Sequence, residues 1–128
     1  MAYLDGADAA HAPVVASLDS WMGRLATTSA VVTEAMHFVG EAHQGPRWLA
    51  ELLAATEAEV HDFTRPGDLP PVVDLMERYA NVPMDFADAT LVLLAEALGV
   101  HEIVTLDRRG FSAYRTRTGR AFRLVLDR

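Results

Sequence analysis

Cysteine is absent from this chain of 128 residues, which excludes a disulfide scaffold and any zinc or thiol chemistry built on cysteine. Lysine is absent too, and all 11 basic residues are arginine. Codon bias in a GC-rich genome is the plain cause. A response-regulator role needs an acid pocket with a lysine, so that reading falls away. No apolar run reaches the ~18–20 residues that cross a bilayer, and no membrane span is expected. The opening Met1-Ala2-Tyr3-Leu4-Asp5-Gly6 lacks a basic stretch followed by an apolar one, so no secretory signal is expected. A reducing cytoplasm suits a cysteine-free chain and is the expected location. There is no glycine-rich phosphate loop and no His-Glu-x-x-His motif. Ser29 lacks the Gly-x-Ser-x-Gly context of a serine nucleophile. Repeats, low-complexity tracts and linkers are also missing.

What is present is the composition of a globular protein, 51% hydrophobic and 23% charged. A chain of this length makes one domain, here 1–128. The formal charge of −7 is unevenly spread. Residues 1–100 hold four arginines and fifteen acids, whereas 101–128 hold seven arginines (Arg108, Arg109, Arg115, Arg117, Arg120, Arg123, Arg128) and three acids. An acidic whole argues against tight nonspecific nucleic-acid binding. The basic C-terminal segment is either a phosphate-contacting patch or a solvated surface.

Hydrophobic spacing predicts helices over 7–22, 29–43, 47–55, 69–80 and 86–98. Ser29 is the expected N-cap of the second and Asp85 of the fifth. The fifth is almost wholly apolar and is expected to be deeply buried, ending at Gly99. Strands are expected over 24–27, 59–63, 102–106 and 122–126. Strands alternating with helices point to an α/β fold with a parallel sheet and helices on both faces. Ligands of such sheets bind beyond the carboxyl ends of the strands.

Glu34, Asp107 and the pair Asp85 and Asp88 lie near those ends. Clustered carboxylates suit Mg²⁺ or Mn²⁺. Plainer readings stand beside that one. Asp85 and Asp88 match a capping box, Glu34 suits a solvated helix face, and Asp107 followed by Arg108-Arg109-Gly110 suits a turn. The five histidines, at 11, 37, 43, 61 and 101, have no ligand spacing and are read as structural or surface groups.

The stretch Val82-Pro83-Met84-Asp85-Phe86-Ala87-Asp88-Ala89-Thr90-Leu91-Val92, with Thr105-Leu106-Asp107-Arg108-Arg109-Gly110-Phe111 after it, resembles the C-terminal half of a PIN domain. It is most similar to the VapC-type toxins of type II toxin–antitoxin pairs. Residues 27–35 resemble the family's second acidic segment, and Asp5-Gly6-Ala7-Asp8-Ala9-Ala10-His11 resembles the loop into its first helix. The resemblance implies a three-layer α/β/α sandwich with a small parallel sheet. It also implies a metal-dependent endoribonuclease that hydrolyses RNA phosphodiesters at an acidic Mg²⁺ or Mn²⁺ site. By motif, Glu34, Asp88 and Asp107 match the second, third and fourth acids, and Thr105 matches the hydroxyl residue that orients the last. Asp85 matches an acid found in some members. Gly110 departs from the aspartate common before the phenylalanine. Arg108, Arg109 and Arg115 become candidate contacts to RNA phosphate. The expected partners are an antitoxin that covers the acidic site and a second copy of the chain. Trp21, Trp48 or Leu52, if exposed, would mark that contact.

One departure matters more. The family opens with a central strand carrying its first acid, and here that strand is expected to be truncated. Asp5 stands too close to Glu34 to be that acid. Neighbouring strands would then keep unpaired backbone groups, each costing roughly 1–3 kcal/mol when buried. The expected outcome is a sheet with a gap bridged by residues 1–4, or a closed four-stranded sheet with a shifted acidic site. Either gives weak or no nuclease activity. Such a protein would act only in antitoxin binding or self-association.

Overall fold

The computed structural model describes residues 25–105 and 108–124. The predicted helix over 7–22, Asp5, Asp107 and the question of a central first strand all lie outside these residues.

Strand β1 (Ala26–Thr28) is buried throughout and runs directly into helix α1 (Ser29–Val39). The N-cap is Thr28 rather than Ser29, and its hydroxyl accepts a hydrogen bond from the Val31 amide at 3.2 Å. The extended backbone of Thr28 both finishes the strand and caps the helix. Helix α1 ends at Gly40, earlier than the spacing predicts, and a tight turn through Gln44 leads to α2 (Gly45–Ala55). Gly45 permits that turn, because a Cβ there would collide with the Val39 carbonyl. Strand β2 (Glu59–His61) follows and pairs in parallel with β1, Ala26 opposite Glu59 and Thr28 opposite His61.

A single 3₁₀ turn, Pro66–Asp68, leads into α3 (Leu69–Arg78), with prolines in its first turn where no amide is needed. Helix α4 (Phe86–Leu98) has the limits that the sequence predicts. It buries nine consecutive residues, Ala87 to Ala95, as its apolar composition implies. Gly99 closes it in the left-handed conformation at φ 65°. Strand β3 (Glu102–Ile103) is shorter than expected, and β4 (Arg123–Leu124) pairs with it in parallel. Between them lies α5 (Arg108–Ala113), a short helix where a turn was one of the readings. Buried Phe111 anchors it.

The architecture is thus mixed α/β. Among the described residues the four strands form two separate parallel pairs, β1–β2 and β3–β4, and do not join in one four-stranded sheet. The main core gathers α4 with Val31, Val72, Leu75, Ile103, Phe111, Tyr114 and Phe122. A smaller core lies between α1 and α2 around Leu25, Ala35, Val39 and Leu49. Trp48 and Leu52 are half-buried against this second core rather than displayed on the surface, and Trp21 lies outside the described residues. The exposed large apolar side chains are others, among them Phe38, Val60 and Val73. Among the described residues no helix is long and apolar enough to cross a membrane.

Candidate active site

Helices α1 and α4 meet at their N-terminal ends, and a buried hydroxyl pair fixes how they meet. Thr90 donates to the Ala87 carbonyl at 2.6 Å, which commits its only hydroxyl proton. Its 2.8 Å contact with Thr28 therefore has Thr28 as donor. Both threonines are fully buried. One chain of hydrogen bonds thus runs from the Val31 amide through Thr28 and Thr90 to the first turn of α4.

This junction places the acids. Asp85 and Asp88 form the capping box that their spacing suggests. Asp85 accepts from the Asp88 amide at 2.8 Å, and Asp88 accepts from the Asp85 amide at 3.2 Å. Asp85 is exposed, whereas Asp88 is only 5% exposed. Capping and membership of an acidic site are therefore compatible for this pair. Glu34 lies in the second turn of α1, half-buried. Glu34 and Asp85 face one cleft of about 610 Å³, lined also by Ser29, Ala30, Thr33, His37, Thr64, Phe86 and Ala87. The positive ends of two helix dipoles converge on this acidic rim, which lowers the cost of gathering carboxylates there.

The strand β2 end adds residues that the sequence reading passed over. One oxygen of Asp62 accepts three hydrogen bonds: from Ser29 Oγ at 3.2 Å, from the Thr64 amide at 2.9 Å and from Thr64 Oγ1 at 2.6 Å. These bonds, the Thr64 hydroxyl first, hold the Asp62 carboxyl below its usual pKa. The Asp-x-Thr spacing is the local signal that would have revealed this turn. His37, read as structural or surface, lies on the cleft wall and is exposed.

The remaining candidates divide. Thr105 is buried just after β3. Asp107, the expected neighbour of Glu34 and Asp88, lies outside the described residues, as does the side chain of Arg108. Among the described residues no three acids or histidines come together as a ready metal-binding group. Arg109 is exposed. Arg115 directs one guanidinium nitrogen at the Ser112 and Tyr114 carbonyls, at 3.0 and 2.8 Å, so part of it closes α5. Arg117, a member of the basic segment, pairs with Glu96 at 2.8 Å. The C-terminal positive charge is therefore partly neutralised within the fold.

No protein-family model matches the chain. The chain is 31% identical to a protein named Ribonuclease VapC26 from Mycobacterium tuberculosis, over 137 residues that cover 98% of this chain and 93% of that protein. Identity at this level along nearly both full lengths places the chain in the VapC-type family of PIN-domain proteins, with Glu34 and Asp85 facing one cleft.

Proposed function

We propose that this protein is a metal-dependent endoribonuclease that hydrolyses RNA phosphodiesters at the rim of the α1–α4 cleft. The observation that carries the reading is the shared cleft of Glu34 and Asp85, with Asp88 locked behind it by the capping box. The donor set fits a hard cation: every acid at the rim is a carboxylate, and there is no thiolate ligand in the chain. Asp88 and Asp107 would hold Mg²⁺ or Mn²⁺, with Glu34 as a further ligand or as the group that orients the attacking water. When bound, such an ion acidifies a water and offsets charge developing on the phosphate. Asp85 fixes Asp88 through the backbone, and Thr105 orients Asp107. Arg108, Arg109 and the remaining donors of Arg115 would neutralise RNA phosphates on either side of the scissile bond.

The same reading takes the chain as one three-layer α/β/α domain over 1–128, acting in the cytoplasm. Its partners are an antitoxin that covers the acidic rim and a second copy of the chain. The test is cleavage of single-stranded RNA by the purified protein with Mg²⁺ or Mn²⁺, with and without EDTA, beside Asp88→Asn. Cleavage that EDTA and Asp88→Asn both remove is the expected result. A folded protein that cleaves nothing in either metal would instead be a binding protein, acting only on its antitoxin or its own copy.

A further inference from the structure

Among the described residues that line the cleft, the three hydroxyls all commit their protons to other oxygens of the protein. Ser29 and Thr64 both donate to Asp62, and Thr33 donates to the Ser29 carbonyl at 2.9 Å. A hydroxyl has one proton and two lone pairs, so each of the three offers the cleft an acceptor only. Asp85, as a carboxylate, is also an acceptor. Among the described residues, His37 is the one lining side chain able to donate. The rest of the described wall is Glu34, a carboxylate and so a further acceptor, with apolar Ala30, Phe86 and Ala87. Phe86 is packed at the edge of the main core and half-exposed, which gives the wall a flat, supported ring.

We propose that this cleft binds one unstacked RNA base that carries an exocyclic amine, laid against Phe86 with its amine toward the oxygens of Ser29, Thr33 and Thr64. This rests on the nuclease reading and names the specificity of that same site. A cleft of about 610 Å³ has the volume of an ordinary small-ligand site. Single-stranded RNA is read by splaying bases onto aromatic rings and bonding their edges. A rim rich in accepting oxygens, with His37 the described donor, matches the two-proton amine of cytosine, adenine or guanine. It suits uracil less, because uracil offers a single N3–H between two carbonyls that would face oxygen lone pairs. Asp62 is a positioning residue here: it touches no base but sets which way two hydroxyls point.

The test is fluorescence anisotropy with oligo(C) and oligo(U) in EDTA, so that binding is measured apart from cleavage. Cytosine presents an amine and a bare N3 at the edge where uracil presents a carbonyl and an N3–H, so the pair tests whether the cleft oxygens select the amine. Oligo(C) is expected to bind about tenfold more tightly, the scale of one added hydrogen bond. Phe86→Leu, which keeps the core filled but removes the ring, should weaken both. Asp62→Ala releases the Ser29 and Thr64 protons and should narrow the preference while binding persists. Loss of packing alone would not do that. Equal binding of the two oligonucleotides, or a preference untouched by Asp62→Ala, overturns the proposal. Binding of neither also overturns it and leaves the acceptor-lined cleft to a cationic side chain of a protein partner. Discrimination in EDTA without any cleavage in metal would sink the nuclease reading and leave the base site standing. Cleavage without discrimination would do the reverse.

Discussion

The two parallel strand pairs are closed in opposite ways. The β3–β4 half is closed by rings. Phe111 meets Tyr114 and Phe122 edge to face, with centroids 5.0 and 5.5 Å apart, and Tyr114 meets Tyr79 at 5.2 Å. The tyrosine hydroxyls are tied to backbone, Tyr114 donating to the Pro83 carbonyl at 2.6 Å and Tyr79 accepting from the Arg115 amide at 2.8 Å. The β1–β2 half is closed by hydroxyls, Thr28 with Thr90 inside and Ser29 and Thr64 with Asp62 at the rim. Apolar packing is indifferent to direction, whereas hydrogen bonds fix it. The ring-closed half supplies stability, and the hydroxyl-closed half holds polar groups at set angles beside an open cleft.

The sharpest way to break this comparison is to remove a ring. Phe111 is fully buried and touches two other aromatic side chains. Phe111→Ala should destabilise the protein by about 3–5 kcal/mol, the range of buried Phe→Ala changes. Urea unfolding followed by circular dichroism measures this. A loss below ~1 kcal/mol would mean that the rings do not hold this half together.

The acidic rim should respond in activity rather than stability. Asp88→Asn is expected to lower RNA cleavage by more than roughly 100-fold, since altering even the partners of a metal ligand costs about 10–100-fold. Asp85→Asn should lower it far less, because asparagine caps a helix about as well as aspartate. Matched losses in two folded variants would show that Asp85 is itself a ligand.

The sequence made the two halves unequally legible. Helix α4 was readable from end to end, because its cap, its apolar run and Gly99 all act locally. That Glu34 and Asp85 lie near one cleft was readable, because strand–helix alternation already says where a cleft lies. Helix α1 was misread at both ends: the cap is a strand residue, Thr28, and the early stop depends on the close approach of Gly45 to Val39. Helix α5 was not foreseen, a turn being the only local structure read there. Gly110 disfavours a helix although Arg108 and Arg109 favour one, and burial of Phe111 against distant rings decides the matter. The Thr28–Thr90 bond joins residues 62 positions apart, and no local pattern announces such a pair. Local structure written in short motifs, such as the Asp85–Asp88 capping box, was therefore recoverable, and contacts between distant residues were not.

A smaller effect sharpens the hydroxyl half. Thr90→Val leaves the buried Thr28 hydroxyl without its acceptor, a loss of about 1–3 kcal/mol. Thr28→Val removes the N-cap of α1 and should cost about 0.5–2 kcal/mol. If the pair acts as one unit, the double variant should cost less than the sum of the two. A double-mutant cycle should show coupling of about 0.5–3 kcal/mol. Additive losses would mean that the two helices are aligned by apolar contact alone, and the contrast between the halves would collapse.

The smallest effect concerns a polar group inside the ring-closed half. Among the described residues, both ring nitrogens of His101 are buried without a hydrogen-bond partner, beside Phe122 at 6.5 Å. Burial lowers its pKa below the ordinary value of 6.5, and the Arg120 charge lowers it further. The fold therefore prefers neutral His101. A depressed histidine contributes its full stability above pH 6.5, where both states are neutral, and that contribution falls away as acid titrates the unfolded chain and then the folded site. Unfolding midpoints in urea at pH 7.5 and 5.5 should differ more for the native chain than for His101→Gln, which cannot take up a proton. His11, His37, His43 and His61 are common to both proteins and cancel in the difference. An identical acid response in the two would mean that water or the chain beyond β4 satisfies the imidazole, so the ring-closed half would carry no pH-sensitive weak point.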